Sequence, residues 1–334
     1  MKHILFLSLL LLMAGCAGER DFPQVKKLSE YKETDFVTTP QSSLPKGKNA
    51  IYSATMLLAW QEVKAAGDNE ISIDGKYKEL SLLNNSQSFK NTLEEGEYVS
   101  SSEFNIEAGT FSVSSEFSKS LAFAVKLESF NDFKFGDESV KSFGMDAVNY
   151  LLHAGVSILY YKNDNDFIVK LIPSDNEHEI FVCMSDQKSM NMQNMFDDVA
   201  DKIKTGKIER KIEKNFWKYW IQYEGDELRI PKILFNIETN YKSLGGNSFV
   251  LKKQSYSIER ALQRTAFLLD EEGAKVESRA EMEVTTESEP EPIEKPHPKK
   301  LHFNKPFLIM LKRKDSPNPY FAMWVDNTEL MQKN

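Results

Sequence analysis

The stretch from Thr285 to Lys300 constrains the fold more than any other feature. It carries four prolines, carboxylates and lysines, and hardly an apolar side chain, yet a strand-like run from Leu301 to Ile309 follows at once. Composition alone would make it a polyproline linker. The strand behind it makes it an internal loop of a folded domain, and loops this long in compact domains are usually functional or disordered. Upstream, Ala274, Val276, Ser278, Ala280, Met282, Val284 and Thr286 are all small or apolar. They alternate strictly with Lys275, Glu277, Arg279, Glu281, Glu283, Thr285 and Glu287. Period two is the period of a β-strand with one face covered. The first proline, which cannot donate to a ladder, comes only at Pro290.

Strand signals fill the second half of the chain. Leu121–Val125 reads as a strand covered on both faces. Val156–Tyr161, Phe167–Ile172 and Glu179–Met184 form an antiparallel meander, separated by Lys162-Asn163-Asp164-Asn165 and Ser174-Asp175-Asn176-Glu177. Leu228–Ile237, Thr265–Leu269, Pro306–Lys312 and Pro319–Asp326 predict further strands. Helical spacing predicts one helix from Ile51 through Trp60 and Val63 to Gly67, and another with Met195, Phe196, Val199 and Ile203 on one face. Residues 68–120 read as short helices with a strand or two. Helices early and strands late give an α+β class with mostly antiparallel sheets.

The N-terminus reads as an export signal. Lys2 and His3 precede an apolar run, Ile4 to Met13, too short to span a bilayer. Met13-Ala14-Gly15-Cys16 resembles the lipobox of bacterial lipoproteins. That resemblance implies removal of residues 1–15, a diacylglyceryl thioether on Cys16 and usually a third chain on its amine; an ordinary signal peptide with a chance cysteine is the alternative. Several acyl chains anchor stably where one binds marginally. The expected location is the cell envelope, with the outer membrane or cell surface favoured. Residues 16–48, polar and with Pro23, Pro40 and Pro45, are expected to form a lipidated tether.

Other chemistry is sparse. Cys16 and Cys183 are the only cysteines, so a lipidated Cys16 leaves no intramolecular disulfide, and Ile180–Met184 predicts a buried, inert thiol. The net charge of −8 argues against nucleic acid or an anionic membrane surface as the principal partner. His153, His178, His297 and His302 lack metal-ligand spacing, and no phosphate cradle or nucleophile elbow occurs. No metal, cofactor or enzymatic activity is expected. Lys207 to Trp220 mixes lysines with four aromatics. It fits a polyanion or glycan site, or more simply a solvated basic face over core aromatics.

The ordered set of later motifs resembles the serpin family. Thr265-Ala266-Phe267-Leu268-Leu269-Asp270-Glu271-Glu272-Gly273 is similar to the serpin strand that ends in an acidic, glycine-bearing hinge. Leu301-His302-Phe303-Asn304-Lys305-Pro306-Phe307-Leu308-Ile309 is similar to the strand after the reactive loop, and Tyr320–Asn327 to the last strand. Leu228-Arg229-Ile230-Pro231-Lys232-Ile233-Leu234-Phe235 and Asn49-Ala50-Ile51-Tyr52-Ser53 match upstream landmarks. The chain departs from the family in its short span between Asn49 and Leu121, in lacking a first helix, and at Ala54, Met56 and Met323.

The resemblance implies a serpin-like domain over 49–328 with an exposed loop at 274–300 and a tail at 329–334. It implies a monomer that inhibits a target protease: the loop is cut, then inserts into the central sheet and distorts the acyl-enzyme. The implied hinge is Glu271, Glu272, Gly273, Ala274, Val276, Ser278 and Ala280. Counting from Glu271 puts the implied cut among Thr285, Thr286, Glu287, Ser288 and Glu289; counting back from Phe303 would put it at Lys295-Pro296. The alternative is a non-inhibitory binding or structural lipoprotein that uses the acidic loop for recognition.

Overall fold

The computed structural model describes residues 22–273 and 298–334, apart from 69, 95, 119, 120, 148, 187 and 188. Cys16, the hinge positions from Ala274 to Ala280 and the implied cut region therefore lie outside the described residues. The first half contains strands β1 (Lys26–Lys27), β2 (Thr34–Phe36) and β3 (Asn49–Ser53), then helix α1 (Thr55–Ala66). Strand β4 (Ile71–Ile73), helix α2 (Lys78–Asn85) and strands β5 (Val99–Asn105), β6 (Thr110–Ser118), β7 (Glu128–Phe135) and β8 (Glu138–Asp146) follow. Next come β9 (Val156–Asn163), β10 (Asp166–Leu171), β11 (His178–Met184) and helix α3 (Met192–Glu209). The chain continues with β12 (Glu227–Pro231), β13 (Ile233–Asn240), β14 (Ser248–Leu251) and β15 (Gln254–Leu269). It ends on β16 (Lys300–His302), β17 (Phe307–Arg313) and β18 (Pro319–Val325).

These strands form three sheets, so the α+β class holds. The first runs β1-β13-β15-β14-β4, with β6 also paired to β15 and β5 to β6. The second runs β2-β3-β18-β17-β11-β10-β9, and the third β16-β12-β8-β7. The first two sheets share the core. Phe267 lies on Phe321 at 4.5 Å and Phe117 near Tyr320 at 5.8 Å, while Trp60 of α1 meets Phe249 at 5.2 Å. Aromatic edges and faces pack here at distances that add to plain area burial. Asn191 caps α3 by accepting a hydrogen bond from the Asn194 amide at 2.9 Å.

Several expectations are corrected. The segment expected as a tether is, from residue 22 on, part of the domain. β1 pairs with β13, β2 pairs with β3, and Phe36, Val37, Thr38 and Thr39 are buried. The chain is bound there through backbone groups and the Glu329 carboxylate, which accepts from Lys32, Glu33 and Thr34. The tail expected at 329–334 is likewise docked: Leu330 and Met331 are buried, Met331 bridges to Ile233, and Gln332 exchanges hydrogen bonds with Lys141 and Lys232.

Asn49–Ser53 is a strand, and the helix begins only at Thr55. Leu228–Ile237 divides at Lys232, whose amide bonds Lys141, so that β12 and β13 join different sheets. Leu121–Val125 is not a strand. Its backbone groups are satisfied singly by two neighbours, Phe123 to Glu272 and Ala124 to Ile172, so no ladder forms. The hairpin β7–β8 was not expected at all.

Candidate functional site

The loop of residues 274–297 leaves and rejoins the described structure at two roots, with a seam in the first sheet beside the first. The seam is the contact of β15 with β6. They run parallel, in register from Ser257 opposite Thr110 to Ala266 opposite Ser118, with a bulge near Arg260. Parallel pairing is the slightly weaker of the two ladder types.

On the inner face, β6 places Phe111, Val113, Ser115 and Phe117 in the core. β15 places Ala261, Gln263, Thr265, Phe267 and Leu269 there. The outer face is mixed, with Ser112, Ser114, Glu116 and Arg264 among Leu262, Ala266 and Leu268; Glu116 is exposed, and Arg264 reaches across the seam to it at 3.2 Å. Such an ion pair in water is worth little.

Polar groups are buried directly beneath this seam. Gln263 accepts from the Tyr241 hydroxyl and donates to Thr265, each at 3.1 Å. Opposite Gln263, the Ser115 hydroxyl is buried with no hydrogen-bond partner among the described residues, and so are the hydroxyls of Tyr52 and Tyr320. Burial raises both phenols well above the ordinary tyrosine range. Each unpartnered buried hydroxyl costs about 1–3 kcal/mol.

The upstream root is a tight turn from Asp270 to Gly273. Glu272 donates its amide to the Asp270 carboxylate at 3.0 Å, and Gly273 donates to the Asp270 carbonyl at 3.2 Å. Gly273 has φ +65°, and a Cβ there would lie 2.4 Å from the Phe123 amide nitrogen and 2.7 Å from the Leu121 carbonyl. Only glycine fits. The turn is clamped by residues 121–127: Leu127 donates to the Glu271 carbonyl at 2.8 Å and Phe123 to the Glu272 carbonyl at 3.2 Å. Glu271 pairs with the buried Lys232 at 2.5 Å and Glu272 with Lys126 at 2.7 Å. The three described hinge residues are thus brought together, and they are held from outside the loop.

The downstream root is a buried ion pair. Lys299 is wholly buried; its amide donates to Asp226 at 2.7 Å and its ammonium at 2.8 Å. Trp217 and Tyr223 flank the ammonium, with ring centroids 5.5 and 5.2 Å away. Burial lowers the Lys299 pKa, against the opposing pull of Asp226. Lys300 pairs with Glu227 at 2.6 Å, and His302 contacts the same carboxylate at 2.8 Å. β16 joins β12, and Phe303 packs on Phe167 and Phe307 at 5.0 and 5.2 Å. The loop expected to run to Lys300 is therefore fixed by Lys299, and a protease cannot reach Lys299 without unfolding this root.

Sequence reasoning missed Lys126, Lys232, Asp226 and Lys299 as the groups holding the loop. A lysine beside prolines reads as solvated, and nothing local marks its partner at Asp226. The Cys183 expectation holds: the thiol is free and buried, and burial raises its pKa beyond the thiolate range. His178 lies buried against Asp175 and packs edge-on to Tyr320 at 5.7 Å. Among the described residues no cluster of His, Cys, Asp and Glu is arranged to hold a metal ion.

No family model and no curated protein sequence matches the chain. Solved structures do. Human glycosylated kallistatin is similar with a TM-score of 0.47 at 11% identity, over 84% of this chain and 92% of that one. The mouse protein Z-dependent protease inhibitor is similar with a TM-score of 0.45 at 13% identity, over 84% and 91%. The native thermophilic serpin tengpin is similar with a TM-score of 0.44 at 13% identity, over 91% and 100%. Serpins are thus among the solved structures to which this chain is similar.

Proposed function

We propose that this chain is a serpin-like protease inhibitor held at the cell envelope by lipid on Cys16. A protease cuts the loop of residues 274–297, and the upstream part then inserts between β6 and β15. The observation that carries this reading is the direct parallel pairing of β6 with β15 beside the hinge turn. A segment returning from Gly273 would run antiparallel to both strands, replacing one weaker ladder by two stronger ones.

The register supports the same reading. A return through the Asp270–Gly273 turn sets Ala274, Val276, Ser278, Ala280 and Met282 opposite Leu269, Phe267, Thr265, Gln263 and Ala261, all of which are buried. The small and apolar parity of the loop then meets the core, at roughly 1 kcal/mol per side chain covered. The charged parity falls on the outer face, where Arg279 would come between Arg264 and Glu116. Water already reaches Arg264 and Glu116, so charge beside them costs little.

The test is incubation with serine proteases of different specificity. A covalent complex resisting denaturing electrophoresis is expected from at least one of them, together with a large rise in melting temperature on cleavage. Cutting within 274–297 that gives neither a complex nor a stability gain refutes insertion and leaves a binding loop.

A further inference from the structure

The end of α3, the turn after it and the 3-10 helix Glu213–Tyr219 wrap the edge strand β9 of the second sheet. Arg210 fixes this segment by donating to the Ile158 carbonyl of β9, and Trp217 packs edge-on to Tyr161 at 5.8 Å. Within this segment Ile208 (66%), Ile212 (44%), Phe216 (47%) and Trp220 (54%) are exposed. Such a concentration of large exposed apolar side chains marks an interaction surface. Six basic and two acidic residues lie between Lys204 and Trp220, in a chain whose net charge is −8. Lys207, Lys211 and Lys214 are exposed and make no ion pair among the described residues. The expected solvated basic face over core aromatics is therefore only half of what is present, because the aromatics also reach water.

We propose that this segment docks the domain on an anionic lipid surface, inserting Trp220 and Phe216 at headgroup depth while the lysines meet the phosphates. Aromatic and aliphatic side chains interleaved with lysine are the chemistry of interfacial binding. The length of chain outside the structure favours a bilayer over a polyanion. Residues 22–48 belong to the domain, so only five residues, six Cα-to-Cα steps, separate Cys16 from Phe22. Fully extended, they reach about 20 Å. A lipid on Cys16 would keep the domain against the membrane rather than on a stalk. This step rests on the proposed anchor.

The full chain, reconstituted with vesicles containing brominated phosphatidylcholine with or without phosphatidylglycerol, separates the two ideas. Flotation with vesicles of phosphatidylcholine alone reads anchoring; quenching of tryptophan fluorescence reads docking. Quenching is expected to require phosphatidylglycerol and to vanish in Trp220→Phe. Combined Lys207→Glu, Lys211→Glu and Lys214→Glu should lower binding of the Cys16→Ser chain to anionic vesicles by on the order of 100-fold or more. Flotation without quenching of Trp220 overturns the docking proposal and leaves the anchor intact. Quenching without flotation overturns the anchor and keeps docking. Quenching that is equal in both lipids, or a tighter hold on heparin than on vesicles, assigns the surface to something other than anionic lipid.

Discussion

Replacing Asp226 by alanine should release the downstream root of the loop. Asp226 accepts from the Lys299 amide and ammonium at 2.7 and 2.8 Å and from the Gln222 and Tyr223 amides at 3.2 Å. Its loss leaves a wholly buried ammonium uncompensated, and breaking such a pair from one side costs about 3–5 kcal/mol. In a chain of this size each kcal/mol moves the melting temperature by about 2 °C, so a fall of about 6–10 °C is expected. Adding Lys299→Met should restore most of it, because the apolar side chain fits between Trp217 and Tyr223 and the stranded charge is gone. The coupling in the double-mutant cycle should exceed about 2 kcal/mol. Calorimetry measures the stabilities, and limited trypsin digestion reports whether the 299–300 bonds become accessible. A loss below about 1 kcal/mol, or no recovery in the double variant, would show that the ion pair does not fix the root.

Val276→Asp and Ala280→Asp, which would face the core in the proposed inserted register, should turn the proposed inhibitor into a plain substrate, since a buried carboxylate costs several kcal/mol. Glu277→Asp should trap normally, and equal effects at both parities would refute the register. Mass spectrometry of the C-terminal fragment should place the productive cut between Thr285 and Glu289; a stable complex formed through Lys295 would show that count to be wrong. Cys16→Ser should abolish fatty-acid labelling and release the protein from membranes, whereas unchanged labelling would exclude the anchor. Burial holds the His302 imidazole below its ordinary value of 6.5, despite Glu227. The unfolded chain therefore takes up that proton first. His302 contributes stability above pH 6.5 that is lost as the pH falls toward its folded value. His302→Gln should flatten this part of the acid limb in urea titrations at pH 7 and pH 5; an unchanged slope would reject the assignment.

The meander β9–β11 and the pair β17–β18 were legible because short, continuous apolar runs are broken by Asn-Asp and Pro-Asn turns. Asn49–Ser53 was not, since all five residues are buried and so short a run shows no period to distinguish strand from helix. β7 shows only one buried residue, Phe135, and is irregular between Phe130 and Phe133, where Asp132 has φ +61°. Its pattern is too weak to read. β1 and β2 span two and three residues and are held by backbone bonds, which composition cannot report. At the candidate site the turn ending in Gly273 was legible from the residues themselves. Its clamps were not, because Leu127 and Lys232 reach it from distant parts of the chain and only the fold brings them close.

The pairing of β3 with β18 joins Ser53 to Phe321 and Ala50 to Trp324, nearly the whole length of the described chain apart. β17 and β18 lie between β3 and β11 in the second sheet, so the sheet has a gap at its middle until the last residues are made. A nascent chain that has reached Leu269 holds both partners of the seam but cannot close the core beneath it. Contacts this distant in sequence make folding slow. For the exported lipoprotein proposed above that delay would be useful, because the polypeptide would stay loose enough to be threaded through a membrane until its last strands follow.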